Sequence, residues 1–254
     1  MASRRHDRAF IGALEKGLAA IEAFDASSAQ LTVSDAARKC GITRASARRY
    51  LLTLEALGYA SFDGKQFRLT PRVLRLGYSY LSASPLPRLM QPTLDLVGER
   101  TREAASLAVL DKAEVIFIAR SPTHRIMSAV VGVGSRLPAY CSSTGRVLLA
   151  GRPEAEMHKL LRMTAPKKFT HKTKTGFAQL AAEIAKVRSQ QYSIVDEEIE
   201  IGLRTISVPV RNVMGETVLA MSVSVQSARM TPKRMLEQVL PVLTEGSRAL
   251  APVL

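Results

Sequence analysis

The stretch Thr32 to Leu54, TVSDAARKCGITRASARRYLLTL, decides the fold of the amino-terminal part of the chain. Thr32 offers an N-cap hydroxyl with Asp35 three residues on, a short relative of the capping box, and the helix it opens reaches Cys40 before Gly41 stops it. Thr43 caps a second helix that carries Ala47, Tyr50, Leu51, Leu54 and Leu57 on one side and ends at Gly58. Ala37 lies four residues before Gly41, where two helices crossing at a tight turn admit only a small side chain, and Ile42 follows as the apolar plug of the turn. An ordinary helical hairpin shares this spacing but needs neither residue type. The charge pattern separates the two further: between Ala36 and Leu54 the charged residues are Arg38, Lys39, Arg44, Arg48 and Arg49, all basic, although the first 80 residues hold seven acids.

Before this stretch, Phe10, Ala13, Leu14, Leu18, Ile21 and Phe24 recur at helical spacing. After it, Tyr59 to Phe62 and Gln66 to Leu69 flank Asp63-Gly64, a two-residue hairpin signal. Helix, helix, turn, helix, hairpin is the order of a winged helix-turn-helix, here over residues 10–70, with residues 1–9 as a disordered basic arm. On the second helix of the motif, Ala45, Arg49 and Leu52 lie opposite the apolar side, Arg48 flanks them and Arg44 projects from the first turn. A helix in the major groove reads bases with its amino-terminal residues and meets phosphates with its flanks. Thr43, Arg44, Ala45, Arg48 and Arg49 are therefore the candidate DNA contacts, with Lys65 at the hairpin tip reaching the neighbouring backbone. For any one of them, a solvated basic face is the plainer alternative.

The composition agrees with this reading without demanding it. The 254 residues hold 36 Lys plus Arg against 22 Asp plus Glu, a net charge of +14, and 46% are apolar. That length suits one or two domains whose cores need no disulfide or metal. Cys40 and Cys141 are a hundred residues apart, and His6, His124, His158 and His171 are scattered, so neither metal nor cofactor is expected. No apolar run approaches the ~20 residues that span a bilayer. The start, MASRRHDRAF, leads into an amphipathic stretch, so the expectation is a cytoplasmic protein without a membrane partner. The basic excess points weakly to an anionic partner or ligand.

Thr70-Pro71 opens a connector helix with Val73, Leu74, Leu76, Gly77, Tyr80 and Leu81, apolar on more than one side, and Ser82 to Pro87 reads as a hinge, so residues 71–87 form a linker. From 88 to 254 the two periods alternate. Leu89, Leu94, Leu96 and Val97 mark a helix, Ala105 to Leu110 and Val115 to Ala119 are strands around a turn at Asp111-Lys112, and Ile126 to Val133 is a third strand. Ser142 or Ser143 caps a helix through Ala150, Pro153 starts another, and Phe177 to Gln190 is a further one. Strands return at Tyr192 to Val195, Thr205 to Val210 and Val218 to Val225. Thr231-Pro232 opens a closing helix with Met235, Leu236, Val239, Leu240 and Leu243. The fold class is α+β, with helices outside an antiparallel sheet.

The winged helix together with LPAYCSSTGRVLLA (Leu137 to Ala150), VDEEIEIGLRTISVPV (Val195 to Val210) and LAMSVSVQSARM (Leu219 to Met230) resembles the IclR family of bacterial transcription regulators. The LPAYC form is closest to the PcaR, PcaU and PobR type, which controls the β-ketoadipate pathway and 4-hydroxybenzoate catabolism. The resemblance implies a GAF-like effector-binding domain over residues 88–254 and self-association as a dimer or dimer of dimers. It also implies palindromic operator DNA and a small aromatic or dicarboxylic acid (protocatechuate, 4-hydroxybenzoate or β-ketoadipate) as partners.

Ser142, Ser143, Thr144 and Gly145 enter a helix whose unpaired amides and positive dipole end make an anion site, although plain capping would use the same residues. The resemblance adds effector contacts at Ser143, Thr144, Thr205, Ser222 and Ser224. The last two, at i and i+2, share one sheet face, which could equally be a solvent face. Val195 stands where comparable proteins carry an acid, which suits a more apolar ligand. Arg204 could clamp a carboxylate, yet Asp196, Glu197, Glu198 and Glu200 lie close enough in sequence that an internal ion pair is the better expectation. Glu198 and Glu200 read as the polar face of an extended segment or turn, and Lys167, Lys168, His171, Lys172 and Lys174 as a solvated loop. The competing function is a small-molecule enzyme with a basic helical domain. It would need a nucleophile and base, and Cys141 is followed by serines with no nearby His or Asn.

Overall fold

Capping and periodicity locate the first helices in the computed structural model, which describes residues 9–25, 27–83, 86–122 and 132–254. The chain divides into two units, residues 1–83 and 84–254. The basic arm, apart from Ala9, and most of the strand expected at Ile126 to Val133 lie outside the described residues.

The first unit contains α1 (Gly12–Glu22), α2 (Val33–Cys40), α3 (Arg44–Ala56), β1 (Ala60–Phe62), β2 (Phe67–Leu69) and α4 (Leu74–Ala83). The Thr32 hydroxyl accepts the Asp35 amide at 3.2 Å while the Asp35 carboxylate accepts the Thr32 amide at 3.2 Å, a complete capping box. Gly41 turns the chain at φ 64°, in the left-handed region. The Ile42 amide then reaches back to the Ala37 carbonyl at 3.0 Å. Ala20, Leu31, Ala36, Ala47, Leu51, Leu54 and Phe67 are buried together. The wing turns one residue later than Asp63-Gly64 suggests. The Asp63 amide donates to the Gln66 carbonyl, and its carboxylate accepts the amides of Lys65 (2.9 Å) and Gln66 (2.8 Å), so Gly64 and Lys65 form the tip. Leu31 adds a bridge to Phe67, making the wing broader than a lone hairpin.

The connector starts as a single 3₁₀ turn, Pro71–Val73, capped by the Thr70 hydroxyl, and continues as α4. Of the residues expected in the hinge, Ser82 and Ala83 belong to α4, and Leu86 and Pro87 open α5 (Leu86–Thr101). A first-turn proline lacks only an amide that has no helical partner anyway.

The second unit adds β3 (Ala104–Asp111), β4 (Glu114–Arg120), β5 (Arg136–Pro138), α6 (Ser143–Ala150), α7 (Glu154–Met163), α8 (Phe177–Gln190), β6 (Ser193–Asp196), β7 (Leu203–Arg211), β8 (Thr217–Gln226), α9 (Pro232–Arg234) and α10 (Leu240–Leu250). All paired strands are antiparallel, in the order β5-β4-β3-β8-β7-β6. Period 2 gives the sheet two unlike faces. Leu107, Ile206, Val208, Val210, Met221, Val223 and Val225 join Met90, Leu94 and Val97 of α5 and Leu243 and Leu250 of α10 in one core. Ala108, Val115, Phe117 and Ala220 meet α6, α7 and α8 through Val147, Leu148, Met157, Leu161, Leu180 and Ile184 on the other side. The closing helix is interrupted by a π turn, Met235–Val239, just before Pro241. Proline has no amide for the carbonyl four residues back, and the wider turn absorbs that loss. Among the described residues no helix is long and apolar enough to cross a membrane, and no cluster of His, Cys, Asp or Glu could hold a metal.

Candidate functional site

Two surfaces carry the chemistry. On α3, Thr43, Arg44, Ala45, Arg48 and Arg49 are all exposed, as is Lys65 on the wing. The Thr43 hydroxyl caps the helix by accepting the Ser46 amide at 3.2 Å. The five basic residues of the motif are not equivalent. Arg38 is bound to Asp35 at 2.9 Å and Lys39 to Asp25 at 2.6 Å, whereas Arg44, Arg48 and Arg49 pair with no described carboxylate. The three free arginines sit on the helix whose first turn is exposed, which is the arrangement that groove reading requires.

The second surface is a small cavity of about 40 Å³ between α6 and the serine-bearing face of the sheet. Register explains its floor. Ser106, Ser222 and Ser207 align across β3, β8 and β7, and Ala104, Ser224 and Thr205 form the neighbouring row on the same face. These serines lie beneath α6 instead of facing solvent: Ser222 is 4% exposed and Ser207 is fully buried. Above them α6 begins. Its N-cap is Ser142, whose hydroxyl accepts the Gly145 amide at 3.1 Å. The Ser143 hydroxyl meets that of Ser207 at 2.7 Å.

Of the expected effector residues, Ser142, Ser143, Thr144, Thr205, Ser222 and Ser224 all line this cavity, and Gly145 does not. The Gly145 amide is already engaged by Ser142, leaving the Ser143 and Thr144 amides in the first turn. Gly145 has a different task. A Cβ there would stand 2.3 Å from the Ala139 backbone, so its lack of a side chain lets α6 start against the Ala139–Cys141 turn.

Ser106, Phe117, Arg120, Leu137, Ile199 and Leu203 complete the lining together with Ala104. Sequence reading missed them. The nearest signal was the apolar strand EVIFIAR ending on a cation, and burial pulls the Arg120 pKa below its ordinary value. Among the described residues the cavity wall thus holds seven hydroxyl side chains, one guanidinium and no carboxylate.

Ionic contacts, one of them fully buried, hold the segment from Asp196 to Leu203 beside the cavity. Arg146, 1% exposed, grips Glu198 through two 2.7 Å bonds and also donates from Nε to the Tyr140 carbonyl at 2.9 Å. Glu198 is therefore not on a polar outer face, as its alternation with Ile199 suggested; the chain turns there and the carboxylate points inward. Arg204 pairs with Asp196 at 2.7 Å, the internal ion pair expected, and stays out of the cavity lining. The basic loop is tied down more than its composition suggested. Lys172 bonds Glu197, the Thr170 hydroxyl bonds the Glu197 carbonyl at 2.7 Å, and Lys174 reaches Glu183 at 2.8 Å. The Lys172 ammonium, with the Ser227 hydroxyl and the Gly202 amide, holds the Glu197 carboxyl down at about 2. Cys141 is buried, and desolvation pushes its thiol up to about 12, the opposite of the lowered pKa that activates a cysteine nucleophile.

A winged helix-turn-helix with unpaired arginines on α3, in one chain with a domain that holds a hydroxyl-rich and apolar cavity, is the arrangement of a ligand-responsive transcription regulator. The chain belongs to the IclR family: residues 13–64 match the IclR helix-turn-helix domain and residues 78–251 the C-terminal domain of bacterial transcriptional regulator IclR. The Pca regulon regulatory protein of Pseudomonas putida is 40% identical over 245 residues, 96% of this chain and 84% of that protein. The p-hydroxybenzoate hydroxylase transcriptional activator of Acinetobacter baylyi is 38% identical over 246 residues, 95% of this chain and 91% of that one. A crystal structure of a PobR inducer binding domain double mutant from Acinetobacter, in complex with 3-hydroxybenzoic acid, superposes with a TM-score of 0.63 at 31% identity, covering 67% of this chain and 100% of that one.

Proposed function

We propose that the chain is a cytoplasmic one-component regulator of aromatic acid catabolism. A small aromatic carboxylate fills the cavity beneath α6, and α3 reads a palindromic operator. The observation that carries the ligand class is the lining itself: hydroxyls, one guanidinium and two free first-turn amides, with no acid to repel an anion. The carboxylate lies against the Ser143 and Thr144 amides, where the helix dipole favours negative charge. The ring packs between Phe117, Leu137, Ile199 and Leu203, and distal polar groups meet Ser222 and Ser224. Burial disfavours the charged form of Arg120, and an anion brought beside it acts in the opposite sense. On DNA, Arg44, Ala45, Arg48 and Arg49 face the major groove, Thr43 sits at its edge and Lys65 of the wing meets the backbone. A two-fold dimer repeats this helix, so the operator half-sites lie about one helical turn apart or a multiple of it. The exposed apolar side chains of α4, Leu74 and Tyr78, suit burial against a second copy.

Ligand and operator affinities must be coupled reciprocally, because the ligand shifts the equilibrium only through unequal affinity for the two arrangements. Calorimetric titration of the full chain with protocatechuate, 4-hydroxybenzoate and β-ketoadipate, with and without operator, tests this. Binding of at least one, changed by operator, is expected; no binding by any of the three removes the assignment.

A further inference from the structure

The far end of α6 opens on a second cavity, lined by none of the residues of the first. Its wall includes Arg152 just after α6, Arg188 and Gln191 at the end of α8, Arg211 at the end of β7, and Glu216 before β8. The three guanidinium groups lack the ionic partners that arginines elsewhere in the domain possess. Arg100, Arg136 and Arg204 each meet a carboxylate, whereas Arg152, Arg188 and Arg211 pair with none among the described residues. Glu216, the one acid in the wall, instead takes the Asn212 side-chain amide at 2.9 Å.

Two of the three are fixed by neutral groups. Arg188 donates to the carbonyls of Ala150 (2.9 Å) and Arg152 (2.7 Å), offsetting the negative end of the α6 dipole. Arg211 donates to the Gln191 side-chain carbonyl, and the Gln191 amide is itself bound to the Arg188 carbonyl. Arg152 has no such contact: its Nε is buried and meets no acceptor among the described residues. Buried donors are normally satisfied, and an orphan calls for an explanation. A structural role for Arg188 as a helix cap is complete in itself, but it accounts for neither Arg152 nor Arg211.

We propose that this cavity binds a small dianionic oxyanion, a short dicarboxylate or a phosphate, between Arg152 and Arg211. Guanidinium forks match both groups with paired N–H donors. The wall carries an excess of positive charge, three arginines against one glutamate, and the Arg188 and Arg211 side chains are already held by neutral acceptors. The site differs in chemistry from the first cavity, where hydroxyls and apolar groups dominate. An anion held here would grip one end of the eight-residue helix whose first turn faces the first cavity.

The test uses the full chain at constant ionic strength, titrated separately with adipate and with inorganic phosphate, by calorimetry and by thermal melting. At least one anion is expected to bind and raise the melting temperature. In Arg152→Gln/Arg211→Gln its affinity should fall roughly tenfold or more, as expected for losing hydrogen bonds to charge. A response to adipate alone assigns a dicarboxylate, and one to phosphate alone a phosphate. Arg188 is left in place because it caps α6, and far-UV circular dichroism checks the fold. Should the double variant not fold, Arg152→Gln alone, at a partly exposed position, is expected to weaken binding in the same sense. The proposal is overturned if neither anion binds the wild-type chain, or if binding survives the substitutions in a folded variant. Because β-ketoadipate is a candidate for the first cavity, only the part of the adipate response that is lost in Arg152→Gln/Arg211→Gln is assigned to the second, and the phosphate titration reads independently of what fills the first.

Discussion

Arg146→Met tests what anchors the Asp196–Leu203 segment beside the cavity beneath α6. The side chains of Arg146 and Glu198 are 1% and 5% exposed, and two 2.7 Å bonds join them. Methionine occupies much of the arginine stem's space but strands the Glu198 carboxylate, which then keeps only the Lys174 amide at 3.0 Å. Removing one member of a buried ion pair costs on the order of 3–5 kcal/mol. In a domain of this size each kcal/mol moves the melting midpoint by about 2–4 °C, so the variant should melt roughly 10 °C lower. Adding Glu198→Leu removes the stranded charge and should restore more than half of the loss, since apolar replacement of a whole buried pair is often close to neutral. Urea unfolding of the wild type, both single variants and the double variant closes the cycle and isolates the coupling energy. Because Glu198 precedes the lining residue Ile199, affinity for 4-hydroxybenzoate should fall in Arg146→Met and partly recover in the double variant. If the single variant loses less than about 1 kcal/mol, or the double variant is as unstable as the single, the pair is not the clamp described here.

The remaining expectations concern the helix start, the loop and the DNA face. Gly145→Ala drives a methyl to within 2.3 Å of the Ala139 backbone, which cannot yield as a side chain can; a loss of about 1–3 kcal/mol or more and weaker aromatic acid binding are expected from denaturation and calorimetry. Glu197 has a folded-state pKa depressed to about 2 from an ordinary 4.5, so its stabilising contribution is fully present above pH 4.5 and is lost as pH falls from there towards 2. Glu197→Gln should therefore flatten that acid limb of stability against pH, and an unchanged limb would assign the acid sensitivity elsewhere. Arg48→Ala or Arg49→Ala should weaken operator binding by about 1–3 kcal/mol where the arginine is bidentate to guanine, with smaller, sequence-independent losses where it meets phosphate. Unchanged affinity in both, measured by fluorescence anisotropy on operator and random duplexes, would remove α3 as the reader.

The local elements were legible because their signals are local. Thr32 and Asp35 mark the start of α2 and Thr43 that of α3 through capping side chains, and Gly41 ends α2 through its left-handed backbone, all within four residues of the termini they cap. The alternation in LAMSVSVQ likewise announces a strand with one apolar and one polar face. It does not say what covers the polar face, and a solvated serine row and a buried one read the same in sequence. Only the sheet order, with β3 and β7 on either side of β8 and α6 laid across them, decides that Ser222 is inside and opposite Ser106 and Ser207. The same holds for Arg120, for Glu198 bound to Arg146 52 residues away, and for the amide of Gly145, spent on Ser142. The sequence by itself determined most of the helices and strands, the alternation along them and the family. The tertiary structure decided which polar groups converge, because contacts between strands and helices remote in the chain are set by long-range packing and register, which local periodicity and capping do not encode.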